Sequence, residues 1–146
     1  MRRYRCRMLR QQLGSISVTA PRQGLHPVTS EIAGWLGRQQ VAAGLLTVFC
    51  RHTSASLLIQ ENAAPAARRD LEAYFARIAP ESGAYEHDDE GPDDMPAHLR
   101  TALTQTQLSI PVQDGRMLLG TWQGVYLFEH RRKPGARTIA LHLIGE

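Results

Sequence analysis

The chain has 146 residues, of which 42% are apolar and 12 are glycine, the size and composition of one globular domain spanning 1–146 around one hydrophobic core. No apolar stretch approaches the ~20 residues of a membrane helix, and the arginine-rich start runs into the polar stretch 11–24 and not into a signal-peptide core. Two cysteines, Cys6 and Cys50, do not make a disulfide framework, so a cytoplasmic protein with reduced thiols and no membrane contact is expected.

The isoelectric point near 9.2 suggests nucleic acid at first sight. Five arginines, however, fall in the first ten residues (Arg2, Arg3, Arg5, Arg7, Arg10), and without them the net charge of +3 becomes −2. The basicity is local, and Tyr4, Cys6 and Met8 alternate with Arg3, Arg5 and Arg7 at the two-residue period of a half-buried strand. A nucleic-acid partner is therefore not expected.

In chain order, 5–18 reads as one or two strands around a turn at Gly14-Ser15. Ile32, Trp35, Leu36 and Gln39 fall at helical spacing and predict a helix over 28–41, which Gly34 and Gly37 weaken. Gly44 releases the chain into the strand 45–50, and a second apolar run follows at 57–59. Pro65 suits the first turn of a helix over 65–78, with Asn62 as its cap. The polar stretch 79–95 holds six of the fourteen acids within 86–94. A further helix starts near Pro96, capped by Asp94, and ends near Leu103. Strands at 108–112 and 116–119 flank Asp114-Gly115, a strong hairpin signal, and strands at 126–129 and 137–144 complete the chain. Single helices between groups of strands define an α+β class, with a largely antiparallel sheet and two or three helices.

Six histidines raise the question of a shared site. His52 ends a strand and precedes Thr53, Ser54 and Ser56; His87 lies in the acidic stretch; His98 lies in the first turn of the following helix. No HExxH and no paired CxxC is present, so a zinc site would have to be assembled from separate elements. Isolated histidines are the alternative. The aspartates at 88, 89, 93 and 94 could hold a hard cation such as Mg²⁺ or could simply be solvated. In Gly120-Thr121-Trp122-Gln123-Gly124 two glycines bracket an aromatic and an amide, either a bulge aimed into a site or a structural bend. The charges of Glu129-His130-Arg131-Arg132 could bind an anion or form a rim.

Four segments together resemble a known family: His52-Thr53-Ser54-Ala55-Ser56-Leu57, Glu61-Asn62-Ala63, Asp93-Asp94-Met95-Pro96-Ala97-His98, and Gly120-Thr121-Trp122-Gln123-Gly124 followed by Glu129-His130-Arg131. They are similar to the YjbQ-like family, also called UPF0047 or secondary thiamine-phosphate synthases, over roughly residues 5–146. The resemblance implies a compact α+β domain that forms a homotrimer, with His52, His87 and His98 facing a common metal site. It also implies roles for Asp94, Gln123 and Glu129 in catalysis, and for Ser54, Trp122 and Arg131 in binding substrate. One departure is Ala64, where the family usually carries Asp before the proline.

The expectation is a small enzyme using a divalent metal, zinc first and magnesium second, on a phosphorylated or anionic substrate. Joining a pyrimidine diphosphate to a thiazole phosphate, with loss of pyrophosphate, is the activity the family name implies. Asp94 or Glu129 would orient a ligand histidine or act as base, and Arg131 would neutralise a phosphate. A trimeric metal- or anion-binding module without turnover is the alternative. The turn at Trp122 is expected beside the histidines, with Gln123 within reach of them and Trp122 packed as a wall.

Overall fold

The computed structural model describes residues 8–146, so the arginines at positions 2, 3, 5 and 7, with the alternation of Tyr4 and Cys6, lie outside the described residues. In chain order the elements are β1 (Arg10–Thr19), β2 (Gly24–Pro27), α1 (Thr29–Gly37), β3 (Ala43–Cys50), β4 (Ala55–Glu61), α2 (Pro65–Ile78), α3 (Asp94–Leu103), β5 (Gln107–Gln113), β6 (Arg116–Met117), β7 (Gln123–Glu129) and β8 (Ala136–Gly145). Every strand pairing is antiparallel. The strands form a five-stranded sheet, β1-β8-β3-β5-β6, and a three-stranded sheet, β2-β7-β4. This is the expected α+β class. Among the described residues no helix is long and apolar enough to cross a membrane.

The inner faces of the two sheets and α1 close on one core. Leu46 and Val48 of β3, Ile110 of β5 and Leu141 of β8 meet Leu57 of β4, Leu127 of β7 and the α1 side chains Ile32, Trp35 and Leu36. Truncating Leu46, Leu57 or Leu141 to Ala would cost about 2–5 kcal/mol, because each is fully enclosed. On the other side of the small sheet α2 lays Leu71 and Phe75 over Leu25, Tyr126 and Phe128. Phe75 meets the Phe128 ring edge-on at 5.3 Å. The central strand β7 is thus buried on both faces. Val125, Leu127 and Glu129 alternate with Tyr126 and Phe128, and this alternation carries polar side chains at the strand's end into the interior.

Several boundaries differ from expectation for local reasons. β1 runs unbroken through Gly14, whose missing side chain makes room for the Trp35 indole; a Cβ there would lie 2.3 Å from Trp35 Nε1. The helix predicted over 28–41 stops at Gly37, and Gln40 turns left-handed at φ 54°. β2, four residues with a proline and no clear alternation, went unpredicted. Neither expected cap forms. Ala64 is the N-cap of α2 and makes no side-chain cap bond, while the Glu61 carboxylate accepts the amides of Ala63 and Ala64 at 3.2 and 3.1 Å. Asn62 instead ties its amide to the Gln123 carbonyl at 3.2 Å. Asp93, not Asp94, occupies the N-cap position of α3. The hairpin is as read: Asp114 and Gly115 take φ of 51° and 71°, the left-handed pair a two-residue turn needs.

Candidate metal centre

α3 places Asp94 and His98 one turn apart on the same face, so one acceptor and one imidazole start four residues from each other. The loop over 79–93 brings His87 onto the same spot. Tyr85 donates to the Pro80 carbonyl at 2.8 Å, and Gly91, at φ 102°, turns the chain so that its carbonyl accepts the Asp94 amide at 3.2 Å. Arg131, just beyond β7, stitches the loop down. Its Nε donates to Asp93 at 3.0 Å, its Nη2 to the Glu90 carbonyl at 2.9 Å, and its Nη1 to Asp94 Oδ1. Burial opposes the Arg131 charge, but Asp93, then Asp94 and Glu90, outweigh it and hold the guanidinium more firmly protonated than in water. For Asp93, burial likewise opposes ionisation. The Arg132 amide and the Arg131 guanidinium outweigh it and keep the carboxyl below the ordinary range.

His87 Nε2 and His98 Nε2 both point at one oxygen, Asp94 Oδ2, at 2.8 and 3.2 Å. One ligand atom from each of the three residues lies within 4.8 Å of the other two, the one such convergence of His, Cys, Asp or Glu among the described residues. A tetrahedral zinc with bonds of 2.0–2.2 Å separates its donors by about 3.4 Å, so the spacing fits a single ion after small adjustments. His98 Nδ1 donates to the Thr53 carbonyl at 2.9 Å, which fixes the proton on Nδ1. His87 Nδ1 faces Asp89 at 3.3 Å. In neutral His98 the Thr53 bond leaves the Nε2 lone pair facing the carboxylate oxygen, an arrangement that a cation between them satisfies, while His87 can give an Nε2 proton to the same oxygen or yield that place to the cation. The Asp94 side chain is 2% exposed, whereas His87 and His98 are 43% and 31% exposed, so the carboxylate forms the floor and the solvent side is open. Two nitrogens and one oxygen suit zinc better than magnesium.

The other expected site residues are placed differently. His52 is outside the group, whose third member is Asp94. The β3–β8 ladder ends at Cys50 opposite Ile139, and the next amide, that of Thr138, donates to His52 Nε2 at 2.8 Å. Burial, then Arg137, lowers the His52 pKa. His52 still shares with His98, Thr53, Thr101, Thr104 and Thr106 the wall of a shallow cavity of about 450 Å³. Glu129 is fully buried, away from the rim, and its carboxylate bonds to no histidine side chain among the described residues. It takes the Arg137 guanidinium on both oxygens at 2.6 and 2.7 Å and the Arg131 amide at 2.9 Å, joining the two sheets. Arg131 has every guanidinium nitrogen on the acidic loop, so it serves that loop instead of presenting a fork to phosphate. Ser54 is half-buried beside the site, its carbonyl accepting the His130 amide and Arg137 Nη2, each at 3.3 Å.

Gln123 and Trp122 are not brought to the histidines within the chain. Gln123 opens β7 and Glu129 closes it, about 20 Å away at strand rise. The Gln123 side chain accepts the Gly120 amide at 2.8 Å, and Trp122 is 64% exposed and not packed as a wall. Sequence reasoning missed a buried polar set under the site. His130, fully buried, contacts Ser56 Oγ through Nε2 at 2.9 Å, and Ser56 Oγ accepts from Thr104 at 2.6 Å. Its one visible signal was a histidine following the alternating apolar run of β7.

A two-sheet α+β domain with an open His-Asp-His cluster at the start of a helix is the class that fold and geometry define. The chain belongs to the family described as UPF0047 protein YjbQ-like, whose model matches residues 14–146. A UPF0047 protein of Synechocystis is 49% identical over 138 residues, covering 94% of each chain. The UPF0047 protein YjbQ of Escherichia coli is 45% identical over 133 residues, 90% of this chain and 96% of that one. Among solved structures, a hypothetical protein of Aeropyrum pernix superposes with a TM-score of 0.83 at 30% identity, over 92% of this chain and 99% of that one. A YbjQ-like protein of Sulfolobus solfataricus shares the fold at a TM-score of 0.88 and 21% identity, over 95% of this chain and all of that one.

Proposed function

We propose that the protein is a small metal-dependent enzyme acting on a phosphorylated or otherwise anionic substrate at the His87–Asp94–His98 cluster. The observation that carries the reading is the pair of Nε2 atoms directed at one buried carboxylate oxygen while both Nδ1 atoms face oxygen partners. Three protein donors with an open side are the pattern of catalytic zinc sites, and a bound divalent ion would act there as a Lewis acid or lower the pKa of a bound water. Around it, Thr53 and Asp89 orient the imidazoles, and Arg131 holds Asp94 by its other oxygen. The half-exposed imidazoles leave room for an anion beside them. Loss of pyrophosphate from a pyrimidine diphosphate, in forming thiamine phosphate, is one reaction that such a site could serve.

The family resemblance also supports a homotrimer. Leu13, Leu45, Phe49 and Ile144, 41–79% exposed on the outer face of the large sheet, are where a second copy would dock. Sedimentation of the tag-free chain at micromolar concentration, giving a trimer and not a 16.3 kDa species, tests that assembly.

The enzyme reading is tested by incubating tag-free protein with a panel of phosphate esters and diphosphates. The pyrimidine diphosphate and thiazole phosphate pair belongs in that panel. Release of phosphate or pyrophosphate that stops on chelation, returns with Zn²⁺ and is absent in His98→Ala supports it. One bound metal per chain with no release from any substrate favours the binding module instead.

A further inference from the structure

We propose that the cavity between α2, the segment 22–24 and α3 is a second site, one that takes the phosphate group of a small molecule against Arg69 and Arg100. The cavity measures about 620 Å³, within the range of small-molecule sites. One face of α2 lines it, with Arg69 and Glu72; Glu81 and Ser82 follow, and Arg100 and the buried Phe128 form the deep end.

Its charges do not cancel. Glu72 is committed to Arg22, at 3.1 Å, and to the Leu25 amide at 2.8 Å, and Glu81 is committed to Arg132. Arg69 and Arg100 form no ion pair among the described residues. Arg100 is the telling one. It is only 6% exposed, its Nη2 donates to the Ala79 carbonyl at 2.9 Å, and its Nε is buried with no partner. A guanidinium taken out of water without an anion is costly, and one lining a cavity can be completed by an anion entering it. The Arg69 guanidinium, the remaining N–H groups of Arg100 and the Ser82 hydroxyl offer enough donors for the three oxygens of a phosphate, more than a carboxylate can use.

The site is separate from the metal cluster. Arg100 and His98 are two residues apart on α3 and therefore on different faces. The cavity beside His87, of about 480 Å³, shares only Glu81 with this one.

The test is calorimetric titration of inorganic phosphate, with chloride at matched ionic strength as control, into the full chain and three variants. Arg69→Gln removes an exposed charge, Arg100→Met removes the buried charge, and His98→Ala disables the metal cluster. The expected result is saturable binding of one phosphate per chain, weakened roughly tenfold or more in Arg69→Gln and Arg100→Met and unchanged in His98→Ala. Should Arg100→Met fail to fold, Arg69→Gln decides. Non-saturable binding, equal affinity in Arg69→Gln, or loss in His98→Ala overturns the assignment.

Discussion

His98 gives its Nδ1 proton to the Thr53 carbonyl at 2.9 Å, and that single bond determines what its other nitrogen can do. With Nδ1 spent, Nε2 meets Asp94 Oδ2 at 3.2 Å as a bare lone pair unless a proton or a metal lies between them. Thr53 belongs to the His-Thr-Ser-Ala-Ser segment that carries the family resemblance. In the folded chain that segment therefore serves the cluster through a backbone carbonyl and not through the His52 ring.

Glu129→Gln keeps the shape of the buried pair with Arg137 but leaves the guanidinium, 10% exposed, without a counter-charge. The expected loss is about 3–5 kcal/mol, read as a lower urea midpoint. A Glu129→Gln, Arg137→Met double variant should recover much of it. A midpoint unchanged by the single substitution would show that the pair does not hold the sheets together.

Acid should destabilise the protein through His130. Burial, then Arg100 and Arg137, hold its pKa down to about 3 against 6.5 in the unfolded chain. The unfolded chain then binds the proton first, so this contribution is complete above pH ~6.5 and disappears as the pH falls toward ~3, by roughly 4–5 kcal/mol in all. Asp93, whose folded carboxyl lies below its ordinary value, adds to the loss at the acid end. Urea titrations at stepped pH should show His130→Gln flattening the slope between about pH 6 and 4 by close to one proton. An unchanged slope would contradict it.

Ala64 stands at the N-cap of α2 with no side chain to receive the first amides. Ala64→Asp should raise stability by about 1 kcal/mol, or about 3 °C in Tm by thermal unfolding. A fall in Tm would mean that repulsion from the nearby Glu61 carboxylate, which holds the Ala63 and Ala64 amides, outweighs the gain from the cap.

Gln123→Ala removes the side chain that closes the turn onto the Gly120 amide. Calorimetry should find metal affinity intact, and urea unfolding a loss of about 1 kcal/mol. A large drop in metal affinity per folded chain would return Gln123 to the site.

What could be read in advance follows the range of the interaction. Asp114-Gly115 was legible because only residues tolerant of left-handed φ fit such a turn, and Pro65 because it marks a helix start. His98 was visible in the first turn of its helix, but Asp94 read as the cap before that helix, whereas the helix in fact starts at Asp94 and puts it one turn from His98. His52 read as a third metal ligand, which it is not, because the end of the β3–β8 ladder, set by long-range register, directs the Thr138 amide onto it. Glu129 read as a rim charge because β7's burial on both faces depends on α2 and the large sheet together, which no local pattern reveals. His130 and Arg100 were hidden for the same reason. Gln123 was drawn toward the site by its distinctive neighbours, whereas its bonds within the turn explain it.

The central claim is that His87, Asp94 and His98 hold one divalent ion. Calorimetric titration of Zn²⁺ into tag-free, metal-stripped protein near neutral pH tests it most directly, with Asp94→Asn and His98→Ala beside the parent. One ion per chain is expected in the parent, bound roughly tenfold or more tightly than in either variant, with all three chains folded by circular dichroism. Absence of stoichiometric binding in the parent, or equal affinity in Asp94→Asn and His98→Ala, would contradict the metal centre.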